Sequence, residues 1–375
     1  VLLATVVAMV GFGLLMVYSS SFIFAQERTG DGFAFIQKQL IFAAMGFTAM
    51  LAACRVDYRK WLDWAYPTLA FALLLLLLVM IPGLGAKVGG ARRWIHLGFV
   101  NFQPGEVAKF AVLFFVARQL VVKESRLHRF AAGLVGPLLI PLPLLLLLLL
   151  QPDFGTTVMI VVTSFALLFL AGVPKRFLAL AMVFAGTAGA ALIVTSPYRT
   201  ARLLTFVDPW SDPAGRGFQI IQSFLGLRNG NFWGVGLGNG REKLFYLPEA
   251  HNDFIFAVIG EELGFIGVAA VAAAYLFFIQ RGLRIAWHAY SRRDDRFGCY
   301  LAVGITLALG LQGFVNMAVV LGLLPTKGLT LPFISYGGSA LLIDLFAVGV
   351  LLSVARGHQA TSDTPNFFRP RELQS

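Results

Sequence analysis

"LAFALLLLLLVMIP" (residues 69–82) runs fourteen positions without a polar side chain, and "PLLIPLPLLLLLLL" (137–150) does the same. Side chains of this kind have no partner except lipid or one another. A backbone inside lipid must satisfy its own hydrogen bonds, which a helix does within one segment. The two runs therefore read as transmembrane helices, and the composition agrees. Of the 375 residues, 58% are hydrophobic and only 13% charged, with a mean hydropathy of +0.78. A soluble domain carries roughly a quarter charged residues. The fold class is an all-α membrane protein, a single polytopic domain over residues 1–375.

A span needs about 20 mostly apolar residues. The segments that qualify are 1–24, 34–53, 65–82, 106–121, 132–150, 155–172, 177–196, 252–280, 298–323 and 338–355. Ten transmembrane helices put both termini on one side and leave a long extracytoplasmic loop, about 197–251, between helices 7 and 8. With the termini inside, seventeen of the 30 Lys and Arg fall on the cytoplasmic side, mostly in short loops. The positive-inside rule thus makes both termini cytoplasmic. The chain starts at Val1 rather than a methionine, so a short native N-terminus is expected ahead of it. Residues 1–24 lack a small-residue cleavage site and count as the first span, not a signal peptide. Cys54 and Cys299 are too few for a disulfide framework and read as small packing residues near the reducing side.

The bases left outside cluster as Arg92–Arg93, Arg199/Arg202 and Arg241/Lys243. They serve either to anchor anionic lipid headgroups or to bind a phosphorylated lipid, whose diphosphate needs cations and backbone donors. Membrane lipid is an expected partner on both readings. No nucleotide-binding glycine pattern is present, and no nucleic acid is expected. "GVGLGNG" (234–240) has no preceding strand and no Walker lysine, and reads as a flexible turn.

Four exterior segments combine Pro or Gly with ionisable residues: 89–110, "QPDFGTT" (151–157), "YLPEAHNDF" (246–254) and "LLPTKGLTLPFISYGGSALL" (323–342). Each lies where a span begins or ends. Irregular backbone at membrane depth is tolerated only when buried in protein or lining a wet cavity. Ionisable residues there mark a pathway or a site. Four such edges on one face predict a single cavity open to the outside.

Spacing adds detail. Glu106 and Lys109 stand three apart and share a face of the fourth helix, as an internal ion pair or as a substrate-facing acid and base. Pro248 suits a first helical turn, which would point Glu249 and Asp253 the same way. His251 has no second ligand at metal spacing and reads as a hydrogen-bonded structural histidine. Glu261 and Glu262 fall roughly 12 Å below Asp253 at 1.5 Å per residue, so mid-membrane pairing with other helices is expected of them. In the 197–251 loop, Phe218, Ile221, Phe224 and Leu225 form an amphipathic stretch, either an interfacial helix or a flap.

Together, "MVYSSS" (16–21), "GARRWI" (90–95), "FQPGE" (102–106) with Lys109, "QPDFGTT", "YLPEAHNDFIFAVIGEELGFIG" (246–267) and "GLLPTKGLTLPFISYGGS" (322–339) resemble the SEDS family of bacterial envelope proteins. The family includes FtsW, RodA and SpoVE, and "FYLPEAHNDF" and "PTKGLTLP" are more similar to the FtsW branch. The resemblance implies ten spans and a peptidoglycan glycosyltransferase of the cytoplasmic (inner) membrane. Such enzymes polymerise lipid II, a disaccharide-pentapeptide on undecaprenyl diphosphate, on the outer face. It further implies a septal role in cell division beside a class B penicillin-binding protein and other divisome proteins. A RodA-like elongation polymerase, a lipid II flippase and a recruiting scaffold are the alternatives.

Carried onto this chain, the family's motifs make Asp253 the catalytic carboxylate. Arg93, Trp94, Glu106, Lys109, Asp153, His251, Lys327 and Ser335 become the substrate-binding set. Arg93, Lys109 and Lys327 would hold the diphosphate. Gly105 departs from the family's serine and Asn252 from its threonine, without touching the charged set. No tightly bound cofactor is expected, although a divalent cation, Mg or Mn, could accompany the diphosphate.

Overall fold

The computed structural model describes residues 1–357 apart from 89–90, 99, 216, 242–250 and 327. It is mostly helical, and eight helical segments are long and apolar enough to cross a membrane. These are α1 (Leu2–Thr29), α2 (Ala34–Arg55), α3 (Lys60–Met80), the segment Ala131–Leu150, α8 (Lys175–Val194), α11 (Ile255–Arg293), α12 (Arg296–Val320) and α13 (Gly338–Arg356). Two more helices lie among them, α4 (Pro104–Val122) and the shorter apolar α7 (Phe154–Leu170). The ranges expected from hydropathy each overlap one of these segments.

Proline and glycine interrupt two of them. Residues 131–150 are not one straight helix. A wide turn over Ala131–Val135 leads into α5 (Gly136–Leu139) and then α6 (Leu142–Leu150). Pro137 and Pro143 stand in the first turns of α5 and α6, where a missing N–H is harmless, and Pro141 caps α6.

The second interruption corrects the expected span 252–280. α11 begins at Ile255 and is broken at Gly264, whose φ of 66° and ψ of −161° are not helical. From Phe265 to Arg293 the helix extends roughly 44 Å at 1.5 Å per residue, enough to cross the core alone. Ile255–Leu263 is thus a separate short helix in front of the span, and Glu261–Glu262 lie at its end rather than halfway down a span.

Between α12 and α13 the chain does not merely turn. Residues 321–326 and 328–337 run as irregular backbone into the bundle, and a Cβ on Gly13, near the middle of α1, would lie 2.6 Å from Ile334 Cα and Phe333 O. Carbonyls at that depth need donors, and the surrounding elements supply them. Asn316 Nδ2 donates to Leu329 O (2.7 Å), Gln312 Nε2 to Thr330 O (3.1 Å) and Gln39 Nε2 to Ser335 O (3.2 Å). The Tyr275 hydroxyl donates to Pro332 O.

Two features lie between the spans, the first of them not expected. An antiparallel sheet, β1 (Gly85–Val88), β2 (Ala91–Leu97) and β3 (Val100–Phe102), joins α3 to α4 in the order β1-β2-β3, pairing Gly85 with Ile95 and Ile95 with Phe102. After α8 come α9 (Pro197–Val207) and α10 (Phe218–Gly230). α10 is the amphipathic stretch, but its buried face meets protein: it packs on α11 and α12, and Ser223 Oγ donates to Val320 O (3.1 Å). α8 buries only Leu178 and is otherwise open to its surroundings.

At the opposite end of the bundle, the Tyr58 hydroxyl donates to Asp295 Oδ2 (2.5 Å), and Asp295 caps α12 through Gly298 N (2.9 Å). Burial, reinforced by the Asp295 charge, pushes the Tyr58 hydroxyl up to about 12, so it keeps its proton and the bond at neutral pH. Cys54 and Cys299 are buried and free, as packing residues would be.

The close approach of α1 to the inserted segment can be tested against an internal control. Gly13→Ala should lower the thermal midpoint of the detergent-solubilised protein, by overpacking worth about 1–3 kcal/mol. Gly11→Ala, where a Cβ would meet nothing within 4 Å, should leave the midpoint unchanged or raise it.

Candidate active site

Asp253 stands two residues before Ile255, in the turn that feeds the short helix, not within its first turn as the placement of Pro248 suggested. The positive end of that helix faces it. Each carbonyl around it is fastened. Asn316 Nδ2 donates to Asp253 O (2.8 Å) while also holding Leu329 O. Ser335 Oγ donates to Asn252 O (2.7 Å) and accepts from Leu331 N (2.8 Å). Tyr336 N donates to His251 O (2.9 Å). Residues 251–253 are therefore tied to α12 and to the inserted segment through the backbone.

Gly328 lies close to both that carboxylate and a cation. A Cβ at Gly328 would lie 3.2 Å from Asp253 Oδ2 and 4.0 Å from Arg93 Nη1, and its φ of 64° also suits glycine. Arg93 arrives on β2. Alternation along the strand puts it on the face of buried Ile95, while Arg92 and His96 are exposed. Its Nε donates to Gln151 O (3.2 Å) and its Nη2 to Pro152 O. Gln151 in turn donates to Leu76 O (2.8 Å).

Beside Arg93 a cleft opens between α7, α8, α9 and the inserted segment. Arg93, Arg199 and Arg202 supply its charge, and Phe154, Ile193 and Leu203 its apolar wall. Arg199 Nη1 is held by Leu192 O (3.1 Å) and Arg202 Nη1 by Thr326 O (3.1 Å). Arg199 Nη2 also reaches Leu149 O (3.5 Å), so these carbonyls orient guanidinium groups, each of which carries five donors. A cationic floor against an apolar wall suits a diphosphate attached to a hydrocarbon chain. Both readings of the Arg199/Arg202 cluster, lipid headgroup and phosphorylated lipid substrate, place phosphate on these arginines.

The Glu106–Lys109 pair lies deeper. Lys109 is 2% exposed, and its Nζ contacts Glu106 Oε2 (2.6 Å), Gln312 Oε1 (2.7 Å) and Asp344 Oδ1 (3.5 Å). It joins α4, α12 and α13, and through Gln312 reaches the Thr330 carbonyl. This is the internal ion pair, and it supports the inserted segment from below. Asp344 and Glu261, the acids a transmembrane polar route would need, are each 1% exposed and engaged elsewhere.

The remaining expected residues divide. Asp153 is buried and caps α7, accepting from Thr156 N (3.2 Å) and Thr156 Oγ1 (3.0 Å). A Cβ on Gly105 would approach its Oδ2 to 3.1 Å, so the glycine that replaces the family's serine gives this carboxylate room. Ser335 is buried and acts on backbone. His251 is buried among Phe24, Phe35 and Tyr336, with ring centroids 5.4, 4.8 and 5.6 Å away, as a structural histidine would be. Trp94 is half-buried and alternates to the other face of β2 from Arg93. Lys327 and Glu249 lie outside the described residues. Asn316, Gln312 and Gln39 were missed; the signal was there, since amides inside apolar spans are costly unless used. Among the described residues, no group of three or more His, Cys, Asp or Glu is placed to hold a metal ion.

Comparison with known proteins agrees with the motifs and the fold. The family model FTSW_RODA_SPOVE, described as cell cycle protein, matches residues 1–360. The chain is 46% identical over 356 residues to the probable peptidoglycan glycosyltransferase FtsW of Geobacter sp. (strain M18), covering 95% of this chain and 96% of that one. It is 47% identical over 357 residues to the protein of the same name from Trichlorobacter lovleyi, covering 95% and 93%. Among solved structures, a chain of a peptidoglycan synthase complex superposes with a TM-score of 0.75 at 32% identity, over 95% of this chain and 96% of that one. The rod shape determining protein RodA of Thermus thermophilus does so with a TM-score of 0.67 at 27% identity, over 95% of each. With the family model covering nearly the whole chain, this protein belongs to the FtsW/RodA/SpoVE family of cell cycle proteins.

Proposed function

We propose that the protein is a peptidoglycan glycosyltransferase that polymerises lipid II on the outer face of the cytoplasmic membrane. The observation that carries this is the placement of Asp253. Its backbone is held by Asn316, its carboxylate and Arg93 both lie close to Gly328, and Arg93 also lines the three-arginine cleft. Relatives named peptidoglycan glycosyltransferase FtsW support the reaction class. Polymerisation of labelled lipid II by the purified protein in detergent, with no other polymerase present, tests it.

The reaction replaces an α-linked diphosphate by a β-1,4 bond, so the anomeric centre inverts in one displacement. The acceptor 4-hydroxyl oxygen attacks the donor's anomeric carbon. Asp253 takes the hydroxyl proton, and the polyprenyl diphosphate leaves with the bonding electron pair. Arg93, Arg199 and Arg202 offer preorganised donors to the charge that develops on the diphosphate, with Lys327 a further candidate. Lys109, Glu106, Asp153, His251 and Ser335 act by holding the backbone around the site. A divalent cation travels with the diphosphate if it takes part; it would supply additional charge neutralisation there.

The same reading sets ten spans, counting α4 and α7, with both termini cytoplasmic. It also places the enzyme at the division septum beside a class B penicillin-binding protein and other divisome proteins. The solved likeness to a peptidoglycan synthase complex supports a synthase partner.

Three outcomes follow. Asp253→Asn, which keeps shape but cannot take a proton, should abolish glycan formation while leaving the thermal midpoint in place; polymerisation at the parent rate contradicts the base assignment. Arg199→Ala and Arg202→Ala should each raise the KM for lipid II about 10-fold, since a charge-assisted hydrogen bond is worth roughly 1.5–3 kcal/mol. Lys109→Met should destabilise the fold by about 3–5 kcal/mol, because it leaves Glu106 and Asp344 buried without their cation. Adding Glu106→Gln to that variant should recover part of the lost thermal midpoint.

A further inference from the structure

The break in α11 at Gly264 is filled by another part of the chain. Val235 N donates to Glu261 O (3.0 Å) and Gly236 N to Glu262 O (3.0 Å). On the far side of the break, Phe265 N donates to Asn231 O (2.9 Å) and Ile266 N to Phe232 O (3.4 Å). Backbone groups that a broken helix leaves open are thus met by the turn 231–236. Two glycines permit the approach. A Cβ on Gly234 would lie 2.2 Å from Glu262 O, and one on Gly264 would lie 2.4 Å from Gly234 N. The "GVGLGNG" segment is therefore a docked turn, not a flexible one.

The two glutamates complete the joint with their side chains. Glu261 Oε1 accepts from Arg241 N (2.8 Å), at the last described residue before 242–250. Glu262 accepts from Ser19 Oγ through both carboxylate oxygens (2.8 and 2.7 Å), which ties the short helix to α1. Both glutamates are almost fully buried. Ile255–Leu263 is consequently held at one end by α12 and the inserted segment, and at the other by α1 and the docked turn. Asp253 rides on the first end.

We propose that Glu261 and Glu262 are positioning residues for Asp253: with Ser19 they latch the short helix and the docked turn to α1 and so set where the catalytic carboxylate stands. This rests on the reading of Asp253 as the base. Neither glutamate touches substrate. The latch also gives a use to two motifs that the chemistry leaves idle, "MVYSSS" and "GEELG" (260–264).

The test uses the purified full chain with Glu262→Ala, Glu262→Gln, Ser19→Ala and the double variant Ser19→Ala/Glu262→Ala. Hydrogen–deuterium exchange reads peptides over 230–241 and 251–263, and lipid II turnover is followed against pH. Glu262→Ala should speed exchange in both segments together and cut turnover about 10- to 100-fold, the scale expected from a small misplacement. It should also move the acid limb of the pH–rate profile, because the carboxylate shifts relative to Arg93 and His251. A loss of folded protein would lower the plateau and leave that limb in place. Glu262→Gln keeps an acceptor for Ser19 and should restore most of the turnover, and the double variant should be no worse than Glu262→Ala alone. Parent-like exchange in Glu262→Ala overturns the latch. Faster exchange with an unchanged rate and pH profile overturns the positioning role, while an inactive Asp253→Asn would still uphold the base. An active Asp253→Asn contradicts the base itself, and exchange alone then judges the latch.

Discussion

A peptide carbonyl at membrane depth must find a donor, and the inserted segment between α12 and α13 carries several. Lipid offers none, so the bundle provides Asn316, Gln312, Tyr275 and Gln39. Those side chains lie in apolar helices where they would otherwise be a burden. Their amides and hydroxyl fix the segment, and the segment then fixes residues 251–253 through Ser335 and Tyr336. The position of the reactive carboxylate is in this sense a consequence of satisfying backbone.

The same constraint explains why charge is distributed in two layers. Lys109, Glu106 and Asp344 are sealed beneath the inserted segment, one ammonium shared between two carboxyl groups. Arg93, Arg199 and Arg202 stand at the mouth, each partly used by a carbonyl and each lining the open cleft. Breaking the lower layer costs the fold, whereas thinning the upper one costs affinity. On the proposed function, such a site would serve a lipid whose head is charged and whose tail stays in the bilayer. α8, which fully buries only Leu178, borders the cleft through Ile193.

The membrane class, the approximate spans and the four exterior edges were legible because they depend on hydropathy, prolines and charge, all of which are local. The chain's motifs carried the family, and they are what points to Asp253 as the proposed base. What could not be read depends on backbone angles and on partners remote in sequence. A glycine inside "GEELGFIG" looks the same whether its φ is −63° or 66°, so the break in α11 was invisible, although the pairing expected of these glutamates with other helices is met by Ser19 on α1. Lys109 and Ser335 have the right residue types for substrate contact; only the fold shows them spent on Glu106, Gln312 and backbone. The exterior sheet escaped because its strands are short and carry glycines and arginines instead of a clean alternation.

The central claim is that residues 321–337 enter the bundle from the outer side and return to it, forming the floor of an outward-facing site. Cysteine accessibility tests this directly, because Cys54 and Cys299 are both buried. Thr326→Cys in the cleft and Ile334→Cys at the inner limit, where the side chain is 1% exposed, would be treated with a membrane-impermeant maleimide on intact cells and on inverted vesicles. The account predicts labelling of Thr326→Cys from outside only and none of Ile334→Cys from either face. Labelling of Thr326→Cys only in inverted vesicles, or of Ile334→Cys from the inner face, would contradict it.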